Sequence, residues 1–206
     1  MKQLLQNDEI TFSHAAVQLH DEIASTSPAS QQAPILVKSA GIVFGWVLWK
    51  QIFDQSGWLK NGFFFEDENG YTAYAAAHWL SQLSSSTAGV SPLHQVLCGL
   101  EPDAVYATHF PPFQPSIVDP DNAEAVEVNR KLFAMWQVLG TEQFPEFREL
   151  FLEREGVLAQ TPAGWQIHLV HAPYDVLTEQ TPLPWPITEL HLPWLSYQVA
   201  IRWLNQ

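Results

Sequence analysis

The stretch GVLAQTPAGWQIHLV, residues 156–170, contains two short apolar runs separated by a turn sequence. Residues 157–160 and 165–170 have the length and the aliphatic and aromatic content of strands. Between them, Thr-Pro-Ala-Gly at 161–164 supplies residues that favour a tight turn. The stretch therefore predicts a β-hairpin.

Two further runs near the C-terminus have strand character. Residues 187–192 and 198–203 show partial alternation of apolar and polar side chains, and Pro-Trp-Leu-Ser at 193–196 lies between them as a turn. We expect these runs to pair and to join the hairpin in a small antiparallel sheet. A short helix is expected over 172–177, between the two pairs of strands.

Helical patterns dominate the N-terminal two-thirds of the chain. Apolar residues recur at spacings of three and four, and Ser, Asp, Gly and Pro occupy positions that begin and end helices. The predicted helices cover approximately residues 13–24, 41–55, 67–83, 91–99, 119–139 and 145–154. The predicted fold class is therefore α+β, with a mainly helical N-terminal two-thirds packed on a small C-terminal antiparallel sheet.

A composition change near the N-terminus suggests how the chain is divided. STSPASQQAP, residues 25–34, has the small and polar composition of a linker. We therefore expect an N-terminal arm and linker over 1–34 and a single globular α+β domain over 35–206.

Charge and hydrophobicity narrow the classes of function. The chain has a net charge of −13 and no basic stripe, which argues against nucleic acids and anionic membranes as partners. Only 15% of the residues are charged, whereas 47% are hydrophobic and nine are tryptophan. A surface with so few charges predicts apolar patches, and such patches usually contact protein partners.

One stretch, residues 35–53, resembles a membrane segment in its apolar character. Lys38 and Lys50 interrupt it, and the uncharged part between them is shorter than the ~20 residues that a spanning helix needs. We expect a buried helix and no membrane span. Insertion of Trp46 and Trp49 at a membrane surface, as in a peripheral membrane module, remains an alternative.

Cys98 is the only cysteine in the sequence. A lone cysteine and the absence of an N-terminal signal peptide fit a cytoplasmic location. His94 lies four residues earlier on the same predicted helix, so the two side chains could meet, which leaves open a Cys/His hydrolase. Because the C-terminal end of a helix raises a thiol pKa, a small buried residue that packs the turn is the favoured interpretation of Cys98.

The sequence contains no recognisable cofactor or metal motif. His168, His171 and Asp175 come nearest to a metal-binding set, but the odd spacing of the two histidines along a strand points them to opposite faces. We therefore expect no cofactor, no metal and no enzyme activity.

Four residues are candidates for contact with another subunit. Trp58, Trp185 and Trp194 have Gly or Pro neighbours that place them in turns, and exposed aromatic side chains often anchor interfaces. The alternative for each is a tryptophan buried in the core. Arg154 belongs to a charged helix end, or pairs with an acid across an interface.

Several blocks of sequence together resemble one family. Two of them are the most specific, LHQVLCGL at 93–100 and FLEREG at 151–156. The others, in chain order, lie at residues 39–43, 53–59, 78–80, 164–165, 174–177 and 192–194. In order and spacing over about residues 35–206, these blocks are similar to the tape measure protein family of contractile injection systems, the phage-tail-like secretion machines of bacteria.

The resemblance implies a structural protein that acts in particle assembly. It implies a location within an assembled contractile particle, with spike, hub or inner-tube subunits as partners and self-association as a further option. Fifteen prolines forbid one long helix, and a compact domain of this length has a radius of gyration of roughly 17 Å. The chain therefore resembles the globular terminal module of a tape measure protein, which would dock rather than extend along a tube.

Overall fold

The computed structural model describes residues 13–26, 32–65, 70–84, 89–102, 148–172, 175 and 187–203. The helical elements are α1 (His14–Thr26), a 3₁₀ helix (Ala40–Gly45), α2 (Trp46–Gln55), α3 (Tyr71–Leu83), α4 (Pro92–Leu97) and a π-helical turn (Arg148–Leu152). The strands are β1 (Ile35–Val37), β2 (Leu59–Lys60), β3 (Phe63–Phe64), β4 (Gly156–Thr161), β5 (Gly164–Leu169), β6 (Glu189–Leu190) and β7 (Gln198–Trp203). The helix predicted over 119–139 and most of the one over 172–177 lie outside the described residues.

Five of the described strands form one mixed sheet in the order β1–β4–β5–β7–β6. Neighbouring strands are antiparallel except β5 and β7, which are parallel. The predicted α+β class is confirmed. The expectation of a wholly antiparallel, C-terminal sheet is wrong for two reasons. First, β5 and β7 are parallel, which is possible because the connection over residues 170–197 exceeds the dozen or so residues that a parallel crossover requires. Second, β1 joins the sheet from the N-terminal part of the chain.

The β4–β5 hairpin lies where the sequence predicts it. Its strands pair in register from Gly156 opposite Leu169 to Thr161 opposite Gly164, which leaves a two-residue turn at 162–163. Alternate residues of the adjacent strands β5 and β7 are buried, namely Trp165, Ile167 and Leu169 on β5 and Val199 and Ile201 on β7. This alternation defines the face of the sheet that packs on the core.

The helices begin and end close to the predicted residues. α4 begins after Ser91 with Pro92 in its first turn, and it ends before Gly99, whose φ of 77° is the left-handed conformation that glycine favours after a helix. The single helix predicted over 41–55 is instead two elements, because the chain first forms a 3₁₀ helix and becomes α-helical at Trp46. No described helix combines the length and the apolar character needed to cross a bilayer.

α1 packs on the sheet, although the sequence assigns it to the N-terminal arm. Ala16 and Leu19 are buried, and the helix contacts β1 and β4. The backbone N–H of Ser13 donates to both carboxylate oxygens of Glu155, at 3.0 and 3.1 Å. The division into an arm over 1–34 and one domain over 35–206 stays a prediction.

An aromatic cluster centred on Phe53 fills part of the core. The Phe53 ring centroid lies between 5.3 and 6.1 Å from four other rings, those of Trp58, Phe64, Trp79 and Trp194. Aromatic pairs at such distances contribute roughly 0.5–1.5 kcal/mol each beyond the burial of their area. The cluster therefore holds α2, the β2–β3 hairpin, α3 and the segment before β7 together.

Candidate functional site

The backbones of segments 39–41 and 151–156 are in direct contact. The Ala40 N–H donates to the Arg154 carbonyl oxygen at 2.8 Å. A Cβ atom on Gly41 would lie 1.5 Å from the Phe151 carbonyl oxygen, and one on Gly156 would lie 2.7 Å from the Ala40 Cβ. Only residues without a Cβ can occupy these two positions with the backbones so close. The two blocks thus form one joint between the 3₁₀ helix and the sheet.

A buried ion pair lies next to this joint. The Arg154 guanidinium binds the Asp175 carboxylate, and both side chains are buried. The guanidinium carbon lies 5.3 Å from the Phe44 ring centroid and 5.8 Å from that of Trp203, so aromatic faces also contact the cation. The Asp175 carboxylate accepts a second hydrogen bond, 2.8 Å long, from the Ala172 N–H. Within the described residues, the acid that pairs with Arg154 therefore belongs to the same chain.

His94 joins the ends of three helices. Its Nδ1 accepts a hydrogen bond of 3.1 Å from the Ser91 N–H, which places the ring proton on Nε2. Nε2 lies 3.2 Å from the hydroxyl of Ser39 and 3.3 Å from that of Ser84. Ser39 precedes the 3₁₀ helix, Ser84 follows α3 and Ser91 precedes α4. His94 is fully buried, and this burial lowers the pKa of its imidazole to about 3.

The geometry does not support a Cys98–His94 nucleophile. The hydrogen bonds of the His94 ring go to serines on both sides. Burial raises the pKa of the Cys98 thiol well above its usual value, whereas nucleophilic attack needs the thiolate. Ser39 and Ser84 are buried like His94, so a serine–imidazole nucleophile would have no route to a substrate. A structural role fits all of these side chains.

The candidate metal set is also engaged otherwise. Asp175 is bound to Arg154, and its second carboxylate oxygen lies 3.5 Å from the His171 Nδ1. Across the described ranges, no group of three or more His, Cys, Asp or Glu side chains could hold a metal ion.

Trp194 and Tyr197 bind the C-terminal end of α4. The Trp194 indole N–H donates to the Leu97 carbonyl oxygen at 2.9 Å, and the Tyr197 hydroxyl donates to the Val96 carbonyl oxygen at 2.6 Å. The last carbonyls of a helix lack partners within the helix and need such donors when they are buried. The segment before β7 thereby supplies side-chain caps to α4.

The exposure predicted for two tryptophan anchors is wrong. Trp58 and Trp194 are each only 8% exposed, because both turns face inward and their rings pack on Phe53. They are the core tryptophans that the sequence left as the alternative. Trp185 lies outside the described residues. It stays a prediction that these tryptophans and Arg154 contact another subunit. The burial of Trp58, Trp194 and Arg154 disfavours it.

A comparison with protein families decides the affiliation of the chain. The model of a family described as contractile injection system tape measure protein matches residues 2–203. The chain belongs to this tape measure family. Neither a curated protein nor a solved structure matches the chain.

Four of the blocks that suggest the tape measure family meet in space in two pairs. Residues 39–41 contact 151–156, and residues 96–97 accept hydrogen bonds from 194 and 197. The Ser39–His94 contact then links the first pair to the second. These tape measure blocks therefore contribute to the internal packing of the fold.

Two exposed side chains are absent from the contact residues that the sequence predicts. Phe63 is 58% exposed and Phe65 is 49% exposed, on the hairpin formed by β2 and β3. The signal was three successive phenylalanines, 63–65, directly after Gly62. Residues that follow a turn glycine in an extended run alternate between two faces, so one or two of the three had to point outward.

The buried His94 predicts an acid-sensitive fold. The unfolded chain takes up a proton on this imidazole near pH 6.5, whereas the folded protein resists protonation until about pH 3. The contribution of neutral His94 to the free energy of unfolding is therefore complete above about pH 6.5. It is lost as the pH falls, at about 1.4 kcal/mol per pH unit. Burial also lowers the pKa of His78, and burial together with the Arg202 charge lowers the pKa of His168. Both histidines therefore also make the protein less stable as the pH falls.

Urea unfolding at several pH values between 6.5 and 4 measures this effect. His94→Gln is the control, because a glutamine at the third helical position can still accept the Ser91 N–H but does not titrate. We expect a shallower decline of the unfolding free energy in this variant. Equal slopes for the two proteins would contradict the assignment to His94.

The Trp194 hydrogen bond predicts a difference between two tryptophan substitutions. Trp194→Phe removes the donor to the Leu97 carbonyl oxygen and leaves it unsatisfied, at a cost of about 1–3 kcal/mol beyond the lost packing. The buried Trp49 indole N–H has no hydrogen-bond partner among the described residues, so Trp49→Phe loses packing alone. Urea unfolding should show the larger loss for Trp194→Phe. A loss at least as large for Trp49→Phe would count against the cap.

Proposed function

We propose that this chain is a non-catalytic assembly subunit of a contractile injection particle, which docks on the spike, hub or inner-tube proteins. The family match over residues 2–203 is the observation that carries the proposal. A structural family of this kind implies association with other particle subunits, and the low charge of the chain fits extended contact with proteins.

The buried polar groups support a non-catalytic role. His94, Cys98, Arg154 and Asp175 are the chemically distinctive side chains of the described segments, and each is buried in a packing or hydrogen-bonding role. Catalysis requires such groups to converge on a site that a substrate can enter. Among the described residues, the burial of these four groups gives a substrate no access to them.

A cytoplasmic location before incorporation into the particle is part of the proposal. Cys98 is a free, buried thiol, which is compatible with a reducing compartment. A peripheral membrane role has less support, because Trp49, one of the two tryptophans that would insert, is fully buried.

Deletion of the gene tests the proposal most directly. We expect the deletion strain to yield no assembled particles by electron microscopy of particle preparations, and a plasmid copy of the wild-type gene to restore them. An affinity-tagged chain should co-purify with particle subunits from the complemented strain. Intact particles of normal number in the deletion strain would overturn the proposed function.

A further inference from the structure

The β2–β3 hairpin carries the most exposed large apolar side chains of the described segments. Phe63 and Phe65 are 58% and 49% exposed, ahead of Val17 at 40%. Since strand residues two apart share a face, both rings project from the same side of the hairpin. Lys60 pairs with Phe63 across the hairpin, and its ammonium lies 5.3 Å from the Phe65 ring centroid. We call these three side chains the phenylalanine tip.

The core holds the phenylalanine tip rigidly. Phe64, between the two exposed rings, packs inward at 5.7 Å from Phe53 and 5.5 Å from Trp194. The turn at Asn61 and Gly62 has positive φ angles of 56° and 85°, as in the tight turns that fit hairpins. The Phe65 N–H donates to the Trp58 carbonyl oxygen at 3.1 Å and extends the pairing. A preorganised aromatic anchor loses little conformational entropy when it binds.

The fold itself makes little use of the two exposed rings. β2 and β3 form a separate two-stranded sheet that does not join the five-stranded one. Phe64 and Trp58 already anchor the hairpin to the core, so exposed Phe63 and Phe65 add little to that attachment. Two adjacent aromatic rings in water are a feature of contact sites rather than of ordinary surface.

Charge narrows the nature of the partner. Lys60 is the one ionised side chain of residues 58–65, the acids Glu66, Asp67 and Glu68 follow in the sequence, and no described carboxylate lies within ion-pair distance of Lys60. A second copy of this chain would bring another net charge of −13, which opposes self-association at long range. A different subunit, with an apolar pocket and a carboxylate at its edge, complements both the rings and the ammonium.

We infer that the phenylalanine tip is the docking element of this chain, and that it inserts into an apolar pocket of another particle subunit where a carboxylate pairs with Lys60. The inference rests on the proposed function and adds the surface and the chemistry of the partner. Buried aromatic residues at the centre of an interface usually dominate its binding energy.

Binding of purified variants to the spike, hub and inner-tube proteins of the same particle tests the inference. Phe63→Ser with Phe65→Ser should weaken binding to the partner at least about 30-fold, and Lys60→Glu at least about 10-fold. Val17→Ser, which replaces an exposed apolar residue on α1, is the matched control and should change the affinity less than about 2-fold. Circular dichroism and the melting temperature establish that each variant is folded.

The outcomes separate this inference from the proposed function. If gene deletion abolishes particles but the double serine variant binds and assembles as the wild type does, the phenylalanine tip is not the docking element and the proposed function stands. If Lys60→Glu alone binds normally, no carboxylate of the partner pairs with Lys60, and that part of the inference is wrong. If light scattering shows a wild-type dimer that the double variant does not form, the phenylalanine tip binds a second copy of this chain and the inference is overturned.

Discussion

Gly41→Ala is expected to destabilise the protein by more than about 3 kcal/mol, a large part of the ~5–15 kcal/mol that usually separates folded from unfolded domains. The added methyl group would lie 1.5 Å from the Phe151 carbonyl oxygen and 3.1 Å from the Leu152 Cα. Because these are backbone atoms, no change of side-chain rotamer relieves the overlap. The 3₁₀ helix and the π-helical turn would have to separate.

Gly57→Ala is the matched control for this prediction. Gly57 has a φ of 71°, but nothing lies within 4 Å of an added Cβ. The substitution therefore incurs only the local backbone penalty of about 1–2 kcal/mol. Urea unfolding of both variants separates a steric requirement from a conformational one. If Gly41→Ala unfolds at the same urea concentration as Gly57→Ala, the joint between 39–41 and 151–156 tolerates expansion and our account of it fails.

The parts of the fold that the sequence predicted depend on local signals. The β4–β5 hairpin follows from two short runs and a Pro-containing turn, and α4 follows from Ser91, Pro92 and Gly99. The parallel pairing of β5 with β7 and the addition of β1 do not follow in this way. They depend on packing between residues far apart in sequence, which no local pattern encodes.

The same distinction explains the errors at the candidate site. Gly57 and Pro193 do place Trp58 and Trp194 in turns, but tertiary packing on Phe53 decides that these turns face inward. For His94 the sequence offered one partner, Cys98, four residues away on the helix, and that only as the alternative to a buried packing role of Cys98. Two of the three serines that bind His94, Ser39 and Ser84, come from other elements, and only the Ser91-x-x-His94 spacing of a capping box was locally visible.

Arg154→Met is expected to lower the free energy of unfolding by about 3–5 kcal/mol. The substitution leaves the buried Asp175 carboxylate without its cation, and burial of an uncompensated charge is costly. It also removes the cation from between the rings of Phe44 and Trp203. Urea unfolding at neutral pH measures the loss, provided that the slope of the free energy with urea concentration is unchanged.

The ion pair between Lys50 and Asp54 on α2 provides the control. The Lys50 Nζ lies 2.6 Å from the Asp54 Oδ2, and both side chains are partly exposed to solvent. Exposed pairs of this spacing contribute about 0.3–0.5 kcal/mol, because water and salt screen them. Lys50→Met removes the same charge by the same kind of substitution, so the contrast with Arg154→Met isolates the effect of burial. A similar loss in both variants would contradict a stabilising role of the buried pair.

The double variant Arg154→Met with Asp175→Leu distinguishes the pair from its surroundings. With both charges removed, the site becomes apolar and most of the loss in Arg154→Met should be recovered. Recovery should fall short by about 1 kcal/mol, because the Ala172 N–H loses its acceptor. If the two substitutions are instead additive, Arg154 stabilises the joint through Phe44 and Trp203 alone, and the carboxylate is incidental. The coupling energy thus decides whether electrostatics or aromatic packing holds the 3₁₀ helix, the sheet and residue 175 together.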